Sequence, residues 1–201
     1  MMLNIEGFEL PIFHDLHKKM GNLMRRLVLL CLALCLALPA WADDAAIEKI
    51  RQSYNEIHKS LPTLKKTEFE SDLQSTEGVQ AFKYQDRQGQ IKLIQIQAFG
   101  EMGKSIDEYY YQNQQVVFVL ATTHQYNMPI YIDAKQAKEL GMEGFDPKKT
   151  KVLENRYYFN QGQLIRWIDE NKQAVKTSDA RFKAEGKKVL AESQNLLNKA
   201  K

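Results

Sequence analysis

The chain has 201 residues, with 28 Lys and Arg against 25 Asp and Glu, and only two Cys. That length suits one domain with at most an appendage, and 44% apolar with 26% charged residues excludes wholesale disorder. A net charge of +3 is too small for the field that gathers a nucleic acid, so no nucleic-acid partner is expected.

Residues 20–42 read MGNLMRRLVLLCLALCLALPAWA. Arg25 and Arg26 precede an unbroken apolar run over 27–38, Pro39 interrupts it, and Ala40 and Ala42 stand where a signal peptidase needs small residues. The pattern predicts a signal peptide cut between Ala42 and Asp43, and hence a periplasmic or secreted protein. The run falls short of the roughly 20 apolar residues of a membrane span, so no permanent membrane anchor is expected. Leu30 and Leu34 stand before Cys31 and Cys35, where a lipidation site would carry a small residue. Residues 1–19 are polar and mixed, and no signal peptide needs them. They read as a spurious extension ahead of a start at Met20 or Met24, or as an extended leading region if Met1 is the start.

Cleavage at Ala42 removes four basic and three acidic residues, leaving 24 against 22 in a chain of 159 residues, 43–201. Both cysteines leave with it, as do His14 and His17. The mature chain is therefore expected to hold together by its core alone, without disulfides.

From Asp43 onward, the pair Asp43-Asp44 can cap a helix in which Ile47, Ile50, Tyr54, Ile57 and Leu61 form one apolar stripe, closed by Pro62. Runs at 79–85, 90–99, 104–111, 115–125, 152–159 and 163–168 are rich in strand formers and separated by Gly, Asn and Gln turns. Residues 69–73 add a seventh possible strand. Residues 126–151 interrupt the series with an insertion holding a short helix over 133–140, ended by Gly141. A last helix opens at Ser178 or Asp179 and carries Phe182, Val189, Leu190, Leu196 and Leu197 on one face, with Gly186 weakening it or admitting a close neighbour. The expected fold is α+β: an antiparallel meander of about six or seven strands, with N- and C-terminal helices packed on one face.

Two hairpins match position for position. Tyr109-Tyr110-Tyr111-Gln112-Asn113-Gln114-Gln115-Val116-Val117 corresponds to Tyr157-Tyr158-Phe159-Asn160-Gln161-Gly162-Gln163-Leu164-Ile165, and 87–91 echoes the turn portion. Aromatic residues on one arm face aliphatic ones on the other, a favourable cross-strand pairing, and the repetition implies a sheet grown by hairpin addition. With its flanking helices, this Tyr-Tyr-x-Asn-x-Gly-x-Leu-Ile pattern resembles a loose group of small exported bacterial proteins of unknown function. The hairpin unit is also similar to that of MORN-type repeats, although the regular spacing of those arrays is missing here. The resemblance covers about half of the mature chain and implies a compartment and an antiparallel sheet, not a reaction.

Catalytic and metal chemistry find little support. His58 and His124 are the only histidines of the mature chain, they lie in no metal-ligand spacing, and no Cys remains, so neither a metal nor a cofactor is expected. There is no Gly-x-Ser-x-Gly elbow. His124, at a strand end before the insertion, is the one residue placed for catalysis, in a small envelope hydrolase that pairs it with a nearby carboxylate. The aromatic set stands out more. In each triplet the middle ring points away from its neighbours. Tyr110, Tyr126, Arg156, Tyr158, Arg166 and Trp167 are therefore expected to form a binding face for an envelope protein, a peptide or a glycan. The reading preferred from sequence is a non-catalytic binding module; the other reading of the rings is that they stabilise the sheet.

Overall fold

The computed structural model describes the backbone of residues 38–201 and the side chains from residue 43 onward. The readings of 1–19 as an extension and of 20–42 as a signal peptide lie outside the described residues, except that the backbone of 38–42 is helical. Ala46–Lys201 form one compact unit; of the unit that ends at Ala45, only the helical stretch 38–45 is described. Among the described residues no helix is long and apolar enough to cross a membrane.

Helix α1 spans Leu38–Ser60 and passes through Asp43 and Asp44 instead of starting after them. Pro39 falls in its first turn, where backbone N–H groups have no helical partner to lose. A 3₁₀ turn at Leu61–Thr63, built on Pro62, closes it. The strands follow: β1 (Lys65–Glu68), β2 (Val79–Gln85), β3 (Ile91–Gly100), β4 (Gly103–Gln112), β5 (Gln115–Gln125), β6 (Lys151–Asn160) and β7 (Gln163–Ile168). Between β5 and β6 lies α2 (Ala134–Leu140), capped by Asp133 and ended by Gly141 in the left-handed region, and α3 (Ala180–Lys199) starts on Asp179. The strands pair antiparallel in sequence order, β1 to β7. The meander, its seven strands and the two terminal helices are as expected for an α+β chain.

Three details differ from the expectation. The first strand occupies Lys65–Glu68, not 69–73. It is an edge strand of charged residues with no apolar alternation to announce it, and Lys66 holds its ammonium 3.7 Å from the centre of the Phe82 ring. The second difference is at the turns. The hairpins at Asn113-Gln114 and Gln161-Gly162 both have two left-handed residues at their centres, as type I′ turns require. The loop at 86–90 is of another kind and matches 169–173. In each, an Asp carboxylate oxygen accepts two N–H groups: Gln88 and Gln90 at Asp86, Asn171 and Gln173 at Asp169. Each has one left-handed residue, Gly89 or Lys172. Past this second loop, Ala174 bridges Ile168 and the Val175 N–H donates to the Trp167 carbonyl, covering the outer edge of β7.

The third difference concerns the helices, which do not share a face. Helix α1 packs Ile47, Ile50 and Ile57 on Leu93, Tyr110, Phe118 and Tyr158. Helix α3 packs Val189, Leu196 and Leu197 on the opposite face, against Ile94, Tyr109, Tyr111, Val119, Tyr157 and Phe159. The aromatic triplets are the physical reason: rings that alternate across the sheet make both faces apolar, and each needs its own cover. A bulge recurs at the turn end of three hairpins, at Tyr84/Gln85, Tyr110/Tyr111 and Tyr158/Phe159, and is missing from the β3–β4 hairpin.

Candidate binding groove

Helix α1 brings four residues to one edge in two steps of a helical turn: Ile50 and Arg51, then Tyr54 and Asn55. Residues four apart lie one above the other on a helix, so Ile50 and Tyr54 face the sheet while Arg51 and Asn55 run along the rim. The sheet contributes by its period of two. Phe118 and Leu120 project from β5, and Glu154, Arg156 and Tyr158 from β6, with Phe118 paired to Tyr158 and Leu120 to Arg156. Between these elements lies a groove of ≈ 380 Å³. Its floor is apolar and aromatic, and its two walls each carry one guanidinium group.

The floor is held by rings. Tyr54 lies 5.0 Å from Tyr110 and 5.4 Å from Phe118, and Phe118 lies 4.9 Å from Tyr158, all in tilted or edge-on contacts. Tyr110 has no accessible surface, yet its hydroxyl is satisfied: it donates to Glu108 Oε2 at 3.0 Å. His58 Nε2 meets the same hydroxyl at 3.0 Å, and since that proton already serves Glu108, the imidazole is the donor. Gln95 Nε2 donates to the other Glu108 oxygen at 2.9 Å. Burial, and then the Glu108 charge, hold the Tyr110 hydroxyl above its ordinary range, so it stays a neutral donor. Burial raises Tyr54 as well. On the rim, Arg156 Nη2 reaches Glu154 Oε2 at 2.6 Å, while Arg51 stands 3.6 Å from Glu48.

The residues expected to form one binding face are dispersed. Arg156 and Tyr158 line the groove. Tyr110 lies beneath α1, and Arg166 sits on the next strand opposite Tyr158. Trp167 is on the other face, stacked on Tyr157 at 5.7 Å, its indole N–H donating to Asn155 Oδ1 at 2.9 Å. Tyr126 belongs to the insertion and packs edge-on against Phe145 at 5.0 Å. An open aromatic face is therefore absent from these strands: the middle rings of both triplets are covered by α1. Sequence reasoning missed Arg51, Tyr54 and Asn55. Tyr54 was visible on the apolar stripe of α1, and the polar residue following each of Ile50 and Tyr54 was the available sign of a rim.

His124 lies on β5 opposite Lys104, beside a shallow open depression. Partial burial and then the Lys104 charge lower its pKa; the charged neighbour acting on it is an ammonium, not a carboxylate. Glycine is required at 103, because a Cβ there would stand 2.2 Å from the His124 carbonyl oxygen. The insertion is tied down by Asn127, which donates to the Gly144 carbonyl and accepts from the Asp146 N–H. It leaves Ile130, Tyr131, Leu140 and Met142 exposed.

On the α3 face, Asp107 is desolvated between β4 and the helix, and burial, with Glu192 second, pushes its carboxyl up to about 6; Lys188 acts in the opposite sense. Tyr109 donates to Glu192 at 3.4 Å and Tyr157 to Glu185 at 3.2 Å. Among the described residues no group of three or more His, Cys, Asp or Glu is arranged to hold a metal ion.

No protein-family model, curated protein or solved structure matches this chain.

Proposed function

We propose that this chain is an exported, non-catalytic binding module. In this reading it is released into the periplasm after cleavage near Ala42, and its partner lays an apolar group into the groove between α1 and strands β5 and β6. The observation that carries the reading is the groove itself, of ≈ 380 Å³, with hydrocarbon and phenol groups as floor and charged groups confined to the rim. That is the layout of a ligand site: an apolar body for affinity and a few polar groups for orientation. The lining joins no nucleophile to a base. An envelope protein or peptide can offer such a group as a side chain, and a glycan as the apolar face of a sugar.

The uncharged fluorophore N-phenyl-1-naphthylamine tests the reading. It is expected to bind the protein saturably, one molecule per chain, with a blue-shifted emission. The Asn55→Trp substitution places an indole in the groove mouth from an exposed helical position and should abolish binding without lowering Tm. If fluorescence is unsaturable, or indifferent to Asn55→Trp in a folded protein, the groove is not the binding site.

A further inference from the structure

We propose that the ligand of this groove is an apolar carboxylic acid, its chain or ring on the aromatic floor and its carboxylate between Arg51 and Arg156. The inference rests on the groove being the binding site and adds the chemistry of what enters it. Two guanidinium groups line the groove, Arg51 on a helix and Arg156 on a strand. Neither is fully engaged. Among the described residues, Arg156 gives a single N–H to a carboxylate, that of Glu154, at the partly exposed rim. Arg51 stands 3.6 Å from Glu48, beyond hydrogen-bond distance. A guanidinium has five N–H donors in a planar fork suited to carboxylates, so most of that capacity stays available at the mouth.

The charge count points the same way. Among the described residues the lining holds two cations and one anion, Glu154, and the Glu48 carboxylate beside Arg51 stands outside the lining at 3.6 Å. A ligand ammonium would meet two like charges. The floor excludes a bare small anion as the preferred guest, since Ile50, Phe118 and Leu120 offer it nothing in place of its water. Tyr54 adds a hydroxyl to the lining, protonated at pH 7 as a phenol is and able to donate to the acid.

Displacement of N-phenyl-1-naphthylamine from the full chain by decanoate, decanol and decylamine tests this at pH 7. Decanoate is expected to displace at a concentration at least about ten-fold lower than decanol, as charge-assisted hydrogen bonds are stronger than neutral ones. Decylamine should be weakest. The Arg51→Met/Arg156→Met double variant keeps the apolar stems and should erase the preference for decanoate while decanol still binds. Raised salt should narrow the preference, because both arginines are exposed. Decanol as good as decanoate, or a preference for decanoate that survives loss of both arginines, overturns the inference and leaves the groove as a site for neutral ligands. Absence of binding by the fluorophore and all three competitors overturns the groove reading itself.

Discussion

The two faces of the sheet solve the same covering problem with opposite tolerances. On the α3 face the helix comes close. A Cβ at Gly186 would stand 2.9 Å from Leu164 Cβ, and Tyr111 donates its hydroxyl to the Ser193 carbonyl at 3.0 Å in a buried position. On the other face α1 seats its isoleucines but leaves open ground on both flanks, ≈ 380 Å³ beside β5 and β6 and ≈ 420 Å³ towards the 86–92 loop. Glycine against leucine closes an interface, while tyrosine against phenylalanine holds a helix off and makes room beside it. Close packing and open grooves thus fall on different sides of one sheet.

Six substitutions break or sharpen that contrast. The largest effect is expected from Phe159→Ala on the closed face, a loss of about 3–5 kcal/mol in urea unfolding. Leu120→Ala at the partly open groove should cost about 1 kcal/mol, because less of its surface is withdrawn from water. Equal costs would mean that the groove side is as tightly built as the other.

The second effect is a gain. The Asp107 carboxyl stands at about 6 in the folded chain against 3.8 for the ordinary group. The native state therefore binds this proton more tightly than the unfolded chain does between those values. Its contribution is greatest below pH 3.8 and is lost as pH rises through 6, a penalty of about 3 kcal/mol at neutral pH from the two-unit difference. Asp107→Asn should raise stability at pH 7 by about that amount and remove this component of the pH dependence between pH 4 and 6. A variant with the wild-type pH profile would show that the carboxyl is solvated in the folded protein.

The third is Gly186→Ala. Alanine improves helix propensity by about 1 kcal/mol, but the new methyl meets the Leu164 Cβ, and overpacking costs about 1–3 kcal/mol. A net loss of about 1 kcal/mol, read from the urea midpoint, is expected; a gain would mean that α3 can lift without cost. The smallest effect belongs to the turns. Gln114 has φ 62° where the matching hairpin has Gly162 at 75°, and Lys172 has φ 62° where its counterpart loop has Gly89 at 75°. Gln114→Gly and Lys172→Gly should each stabilise by about 0.5 kcal/mol in thermal unfolding, by relieving a left-handed side-chain residue.

Much of this architecture was legible in the chain, and the limits of that legibility have physical causes. Strands such as 115–125 showed themselves by their runs of strand-forming residues and by the Gly, Asn and Gln residues at their turns, both local signals. The covering of the sheet was not legible in the same way. The rings of Tyr109, Tyr110 and Tyr111 declare two apolar faces, but no local pattern says which helix lies on which. Lys65–Glu68 was missed because an edge strand needs no apolar residue of its own. The groove is non-local as well. Arg51 and Arg156 are a hundred residues apart in sequence and become neighbours of one cavity only when α1 crosses β5 and β6. Tyr158 was singled out as the middle ring of its triplet and Arg156 as a charge near the rings; the structure places both along the groove beside α1.

The sheet can also be regarded as a growth process that has been stopped. Hairpins added one after another extend a meander indefinitely if nothing ends it, and each new outer strand offers unpaired N–H and C=O groups to another chain. Growth here is terminated twice. Beyond β7 the loop at 169–173 folds the chain back, so that Ala174 and Val175 occupy the hydrogen-bonding positions a further strand would take. At the other end, β1 is only four residues long and carries Lys65, Lys66 and Glu68. A duplicated hairpin inserted in the interior would therefore widen the sheet without creating a new edge, whereas deleting the final turn would leave the outer side of β7 open to pairing with a second molecule.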